Sequence, residues 1–369
     1  MRITIIWHGA VIQAGRLWIE ELAARPGVSV SLISASSWSA VLPRRVNFER
    51  EGTGSFDVHV LKPHLSFHGA TFFLSGLKKA LQLSNPDVVL AIEEPFSLVM
   101  GQILHIISQL SSRLRLYCHT YQNILKQYPF PFSWIEQKTL GRVDGMLGSC
   151  PEVLEVLRKK GYGGAQSVFP QSIDPERWRP MPQEVNTQRR RGIHIGYVGR
   201  FVPEKGIDTL LAASRQLTLA HHLTLVGNGP LEVIIRQEIS GMKYTATILK
   251  DLLPLQIAGI YPTFDMLVVP SRTQRNWKEQ FGRVLIEGMA CGVPVIGSDS
   301  GAIPWVIGDA GRIFPEGDAA ALANEIRLLA ESPELRRELG EKGRARVVEH
   351  FSTKVVVDDL LEFIRETAG

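Results

Sequence analysis

The chain has 369 residues, too many for one ordinary core and a length that suits two domains. Hydrophobic residues make up 44% and charged residues 21%, the balance of a soluble globular protein. A net charge of +4 with a pI near 8.9 suits an anionic ligand or a membrane surface, but lacks the charge blocks of a nucleic-acid binder.

Met1-Arg2 runs directly into an apolar stretch at 3–7, followed by polar His8-Gly9, so no secretory leader is expected. Short apolar runs then alternate with helical patterns, the signature of a parallel sheet covered on both faces. Strands are expected at 3–7, 28–33, 58–61, 88–92, 114–118, 145–147 and 167–169, with helices between them, among them 16–25 and 151–160. The most apolar long stretch, 97–110, is broken by Gln102, His105 and Gln109 and is too short to span a bilayer. Residues 171–192 hold three prolines and the run Arg189-Arg190-Arg191, which reads as a solvated linker. The pattern restarts with strands at 193–198, 223–226, 245–249, 266–269, 293–296 and 312–314. Asp318 caps a helix running to Ala330, and Ser332-Pro333-Glu334 opens another. In the last helix Val357, Leu360, Leu361 and Ile364 recur at helical spacing, so one face is buried. Cys118, Cys150 and Cys291 show neither metal-ligand spacing nor obvious pairing, which points to a reducing cytoplasm.

The stretch 271–301 carries the chemistry. Seven residues separate Glu279 from Glu287, with Phe281-Gly282 between them, and a helical run from 284 stops at Gly292 and Pro294. A helix opening at Gly282 points unpaired N–H groups and its positive dipole end at a ligand, a seat for phosphate. A carboxylate can accept from two neighbouring hydroxyls at once, as a sugar ring offers. Upstream, the segment Gly199-Arg200 through Lys205-Gly206 follows a strand, where open α/β sheets bind ligands, and its two cations would neutralise a diphosphate. Neither Gly196-x-x-Gly199 nor Gly227-Asn228-Gly229 completes a dinucleotide fingerprint.

Glu279, Phe281-Gly282, Glu287, the segment Ala290-Cys291-Gly292-Val293-Pro294-Val295 and Ser300-Gly301 together resemble the carboxylate-x7-carboxylate motif of retaining GT-B glycosyltransferases, in particular glycosyltransferase family 4. The resemblance implies an α/β, GT-B architecture: two doubly wound Rossmann-like domains facing across a cleft. The acceptor-side domain would span 1–175, a linker 176–192 and the nucleotide-sugar domain 193–351, with helix 352–369 crossing back onto the first domain. It implies a metal-independent, retaining, hexosyltransferase-type enzyme of the kind used in polysaccharide biosynthesis. The sugar of a UDP- or GDP-sugar would pass to a hydroxyl acceptor (a glycan, a lipid-linked acceptor or a small molecule), with no cofactor beyond the donor substrate and no nucleic-acid partner. Arg200 and Lys205 would stabilise the leaving diphosphate, Glu279 would hold donor-sugar hydroxyls and Glu287 the ribose. Gln280, Phe281, Gly282, Arg283 and Val284 would line the donor beside them. Gly199 and Gly227 would lie against the nucleotide, with Ile248 and Lys250 near the base.

In the first domain the family has a glycine pair after strand one. This chain has no adjacent glycines there, and Gly15 is the stand-in, with Arg16 placed to reach an anion. Glu94 follows one strand and Cys118-His119-Thr120-Tyr121-Gln122 another; the family's histidine beside the donor sugar maps to His119, or to Gln122 after a small register shift. The aromatic run 128–134 fits a rigid loop, either packed under its prolines or lining an acceptor pocket. Trp18 and Trp38 fit a lipid-linked acceptor and peripheral contact at the inner face of a membrane, or equally buried aromatics. The rival readings are a GT-B epimerase or phosphorylase, an NAD-dependent oxidoreductase and a non-catalytic sugar-nucleotide-binding subunit. The incomplete fingerprints argue against the second, and the retained glutamates and cations against the third.

Overall fold

The computed structural model describes residues 1–38, 46–50, 54–65, 69–110, 114–180, 192–241, 244–252 and 254–367. The arginine run Arg189-Arg190-Arg191 lies outside them. By its contacts the chain divides into two units, one formed by Met1–Pro170 with Val356–Gly369 and the other by Gln171–Val355.

In the first unit seven strands form a parallel sheet. Their spatial order is Gln166–Val168, Gly145–Gly148, Arg115–Thr120, Val88–Ala91, Arg2–Ile6, Ser29–Ala35 and Asp57–Leu61. The chain builds outward from Arg2–Ile6 in one direction, then returns and builds outward from Val88–Ala91 in the other. The strand order therefore reverses between those two, the place where such sheets open a crevice at their carboxyl ends. Both faces are covered, which is why the strands read as continuous apolar runs. Ile3, Ile5, Val30, Leu32, Val88 and Leu90 share one core with Ile19 and Leu22 of helix Leu17–Ala23. Val357, Leu360, Leu361 and Ile364 of helix Thr353–Thr367 close that core, and Tyr117 ties the helix down through a 2.6 Å hydrogen bond between its hydroxyl and Thr367.

Two sequence expectations shift here. The strand expected at 114–118 runs to Thr120, because Leu147 and Gly148 of the neighbouring strand pair with His119 and Thr120. His119 is therefore a strand residue rather than a loop residue. The aromatic run 128–134 is only partly loop, since helix Phe132–Leu140 claims its last three residues.

The second unit has six parallel strands, in the order Thr245–Leu249, His221–Val226, Ile193–Val198, Met266–Val269, Val295–Ser298 and Gly311–Phe314. Here the order reverses between Ile193–Val198 and Met266–Val269. Alternation along Met266–Val269 divides the interior: Met266 and Val268 join Ile195, Leu223 and Leu225 under helices Ile207–Arg215 and Ala319–Glu331. Leu267 and Val269 pack on the other face against helices Arg283–Ala290 and Ile303–Ile307. The strand expected at 293–296 begins only at Val295, because Val293 N–H is spent on the carbonyl of Gly288 in the bonds that close helix Arg283–Ala290. Asp318 caps its helix by accepting from Ala320 and Ala321 N–H, and Ser332 caps the next from Leu335 N–H. Among the described residues no helix is long and apolar enough to cross a membrane.

Candidate active site

The reversal of strand order in the second unit brings two loops together. One leaves Ile193–Val198 through Gly199-Arg200 to the turn Pro203–Lys205, and the other leaves Met266–Val269 through Pro270-Ser271. Arg272 N–H donates to the carbonyl of Glu204 at 2.8 Å, fastening one loop to the other. Lys205 Nζ thereby lies 2.6 Å from Glu279 Oε2, and the same oxygen accepts from Ser271 Oγ at 2.8 Å. The ring of Trp277 lies 4.9 Å from the ammonium, adding a cation–π contact. Glu279 is only 6% exposed, and Lys205 and Ser271 both meet the same one of its carboxylate oxygens.

The backbone of Glu279 is clamped from the other side. Ala302 N–H donates to its carbonyl at 3.0 Å, and Gly301, at φ +54°, passes so close that a Cβ there would lie 2.1 Å from that carbonyl oxygen. Gly282 follows at φ +82° as the residue preceding helix Arg283–Ala290. Gly282 has no side chain with which to cap that helix, so its first N–H groups point outward with the positive end of the helix dipole. Arg200 extends from the same loop as Lys205, nearly half exposed, with its guanidinium 3.5 Å from Glu204.

Glu287 lies one turn inside the helix, on its buried face. Tyr261 OH donates to one carboxylate oxygen at 2.7 Å and Arg283 Nε to the other at 3.0 Å. Burial pushes the Glu287 carboxyl above its ordinary value, opposed by Arg283 and by the tyrosine hydrogen bond. Burial also holds the Tyr261 phenol well above its own, which keeps it a neutral donor.

The remaining donor-side expectations divide between backbone and side chain. Gly199 and Gly227 sit on adjoining loops joined by the bond from Phe201 N–H to the Asn228 carbonyl, 2.8 Å. Phe281 is a correction: its ring is buried against Phe351 and Trp305 in the core, so only its backbone faces the site. Gln280, Arg283 and Val284 are half-buried beside Gly282. Ile248 is half-buried against the core of its sheet, and Lys250 is exposed and bonded to Glu232 at 2.9 Å.

In the first unit the reversal of strand order is marked by a pair the sequence did not disclose. Glu93, after Val88–Ala91, accepts from His8 N–H at 2.8 Å and lies 2.6 Å from His8 Nδ1, after Arg2–Ile6. Glu94 turns inward and accepts from Thr120 Oγ1 at 2.5 Å and from Tyr121 N–H at 3.1 Å; burial raises its carboxyl despite both bonds. Gly15 lies in the turn Gln13–Gly15 against the Trp7 ring. Arg16 is a second correction: its side chain is fully buried, donating to the carbonyls of Ala10 and Glu49 over the ring of Phe48. It braces the loop instead of facing an anion. His119 is buried edge-on between Tyr121 and Phe169, with Nε2 at 3.1 Å from the Phe169 carbonyl, and burial lowers its pKa to about 4. Gln122, half-buried beyond the strand end, is the more accessible of the two. Trp38 is buried beside His8 and Phe72, and Trp18 is half-buried against Phe169, so the packing explanation holds for both.

Lys205, Arg200, Glu279, Gly282 and Glu287 thus lie along one edge of the second sheet, with Ser271, Trp277 and Tyr261 as partners that sequence reasoning missed. The arrangement can offer cations and a helix end to an anion, and two separate carboxylates to hydroxyls. The family described as glycosyl transferases group 1 matches residues 183–346. The N-acetyl-alpha-D-glucosaminyl L-malate synthase of Bacillus anthracis is 36% identical over 137 residues, 37% of this chain and 35% of that protein. The alpha-maltose-1-phosphate synthase of Mycolicibacterium smegmatis is 30% identical over 266 residues, 64% of this chain and 67% of that protein. The chain thus spans only about a third of the first of these relatives and two thirds of the second. Among solved structures, HepE of Anabaena in complex with UDP superposes with a TM-score of 0.77 at 16% identity, covering 99% of this chain and 100% of that one. That likeness and the two doubly wound sheets establish a GT-B fold.

Proposed function

The chain belongs to the group 1 glycosyltransferases, and from that premise we propose that it is a retaining enzyme moving a sugar from a nucleoside-diphosphate sugar to a hydroxyl acceptor. The observation that carries the reading is the Lys205–Glu279 pair at the reversal point of the second sheet, beside an uncapped helix end. A diphosphate arriving there meets Lys205, Arg200 and the first N–H groups of helix Arg283–Ala290. Lys205 then exchanges its carboxylate partner for phosphate oxygens, and Glu279 Oε2 becomes an acceptor for sugar hydroxyls. Glu287, held by Tyr261 and Arg283, accepts from the ribose hydroxyls. As the sugar–phosphate bond breaks, charge grows on the leaving diphosphate, and the two cations and the helix end stabilise it most at that moment.

The relatives fit this reading: one is a GDP-mannose-dependent mannosyltransferase of Corynebacterium glutamicum, and HepE was solved with UDP-glucose. The acceptor belongs to the first unit, near Glu94, Gln122 and the His8–Glu93 pair. His119, buried between Tyr121 and Phe169, shapes the strand end from within. We place the reaction at the cytoplasmic face, without a metal or cofactor, on a glycan or lipid-linked hydroxyl.

Calorimetric titration with UDP and with GDP tests the proposal. One of the two is expected to bind, and Lys205→Ala and Glu287→Ala are each expected to weaken it at least about tenfold. Unchanged affinity in both variants overturns the assignment.

A further inference from the structure

The loop leaving strand Arg115–Thr120 and the helix after it, Phe132–Leu140, present three large apolar side chains to solvent within ten residues. Phe130 is 80% exposed, Trp134 55% and Leu125 54%. One such residue is ordinary, but three within ten residues are more than single scattered exposures. Their exposure is built in: Phe130 stands between Pro129 and Pro131, whose carbonyls accept from Ser133 and Ile135 N–H in the first turn of the helix. Tyr128, in the same segment, turns inward instead. It stacks on Phe96 at 3.8 Å between ring centroids, with the Lys160 ammonium 4.7 Å from its ring.

The charges around this patch are predominantly positive. A cavity of about 610 Å³ beside it is lined by Leu125, Lys126, Tyr128, Glu136, Lys159 and Lys160, among others. Its one carboxylate, Glu136, is buried and spent on Lys160 at 2.5 Å. Three lysines line the cavity against that one carboxylate, and Lys138 stands 5.9 Å from the Trp134 ring. Rings that seek the headgroup level, interleaved with ammonium groups that seek phosphate, match a bilayer surface. A symmetric contact with a second copy would instead set lysine against lysine.

We propose that this face docks on a bilayer carrying anionic headgroups. Phe130, Trp134 and Leu125 enter the boundary between headgroups and acyl chains, and Lys126, Lys138 and Lys159 meet lipid phosphates, one of them seated in the cavity. With no bilayer-crossing helix among the described residues, the association is a reversible surface one. The same loop begins at the carboxyl edge of the first sheet, beside Thr120 and Glu94, so docking would bring a lipid-linked acceptor to that edge. Only this last consequence rests on the proposed transfer reaction.

Cosedimentation of the full chain with phosphatidylcholine vesicles, with and without phosphatidylglycerol, tests the docking. Pelleting is expected only with phosphatidylglycerol and is expected to weaken with salt. Phe130→Ser with Trp134→Ser should weaken it at least about tenfold, and Lys138→Gln or Lys159→Gln about fivefold each. Circular dichroism and the thermal unfolding transition of every variant, compared with the parent, serve as the folding control, and UDP and GDP titration of the parent tests the transfer reading separately. No pelleting with phosphatidylglycerol, equal pelleting without it, or variants that bind like the parent would overturn the inference. So would a solution dimer of the parent that the Phe130/Trp134 variant abolishes, which would assign the surface to a second copy. Vesicle binding with neither nucleotide bound would sink the proposed function and leave this inference standing.

Discussion

Glu279 shows how a nearly buried carboxylate is held by a cation and a hydroxyl at once. Its partners Lys205 and Ser271 share a single oxygen, and the pair is largely shielded from water. Removing one partner of a buried pair leaves an uncompensated charge, whereas removing both is cheaper. Lys205→Ala is therefore expected to destabilise by about 2 kcal/mol and Lys205→Ala/Glu279→Ala by less than the sum of the singles. A double-mutant cycle in urea measures the coupling; strict additivity would mean that the pair stores no interaction energy. His119 makes a pH prediction of definite sign. Its folded pKa, about 4, lies below the ordinary 6.5, so its contribution is fully present above 6.5 and is lost as pH falls through about 4. The ceiling is roughly 3 kcal/mol. Replacing it, as in His119→Phe, should flatten unfolding free energy against pH in that window. Glu94 has the opposite sense: its carboxyl is raised above 4.5, so its contribution is present below 4.5 and is lost as pH rises through the raised value.

At the scale of elements, helix Arg283–Ala290 is useful because of what precedes and what clamps it. Gly282 enters it with positive φ, leaving its first N–H groups uncovered, and Gly301 presses on the residue three positions earlier. Gly301→Ala would drive a methyl group into the Glu279 carbonyl at a backbone angle that L-residues avoid. The expected cost is about 1–3 kcal/mol, read as a lowered Tm together with weaker nucleotide binding. A loss of Tm with full affinity would show that Glu279 is positioned without Gly301.

At the scale of the molecule, both sheets reverse strand order once, and each reversal collects polar side chains at carboxyl ends: His8 with Glu93 in one unit, Lys205 with Glu279 in the other. Nucleotide bound at the second reversal should raise the apparent stability by mass action, about 2.7 kcal/mol at a hundredfold excess over Kd. Hydrogen exchange should then show new protection at residues 199–206 and 279–287. Protection confined to other loops would move the nucleotide elsewhere.

The strands, the two-part organisation and the carboxylate pair spaced over a helix start were legible in the linear chain, because periodicity, glycine placement and residue chemistry are local properties. Met266–Val269 needed no partner to be read as a strand buried on both faces, and Asp318 and Ser332 needed none to be read as caps. Which side chains meet across loops was not legible. Ser271, Tyr261 and Trp277 carry no motif of their own: Ser271 reaches Glu279 by the folding of one loop, whereas Tyr261 reaches Glu287 and Trp277 reaches Lys205 only because segments distant in sequence adjoin. Arg16 and Phe281 fell at motif positions but point into the interior, and Phe130 and Trp134 emerge outward where Trp18 and Trp38 do not. Direction is a tertiary property: a residue's type and spacing limit what it can do, but packing on the far side of its backbone decides which way it faces.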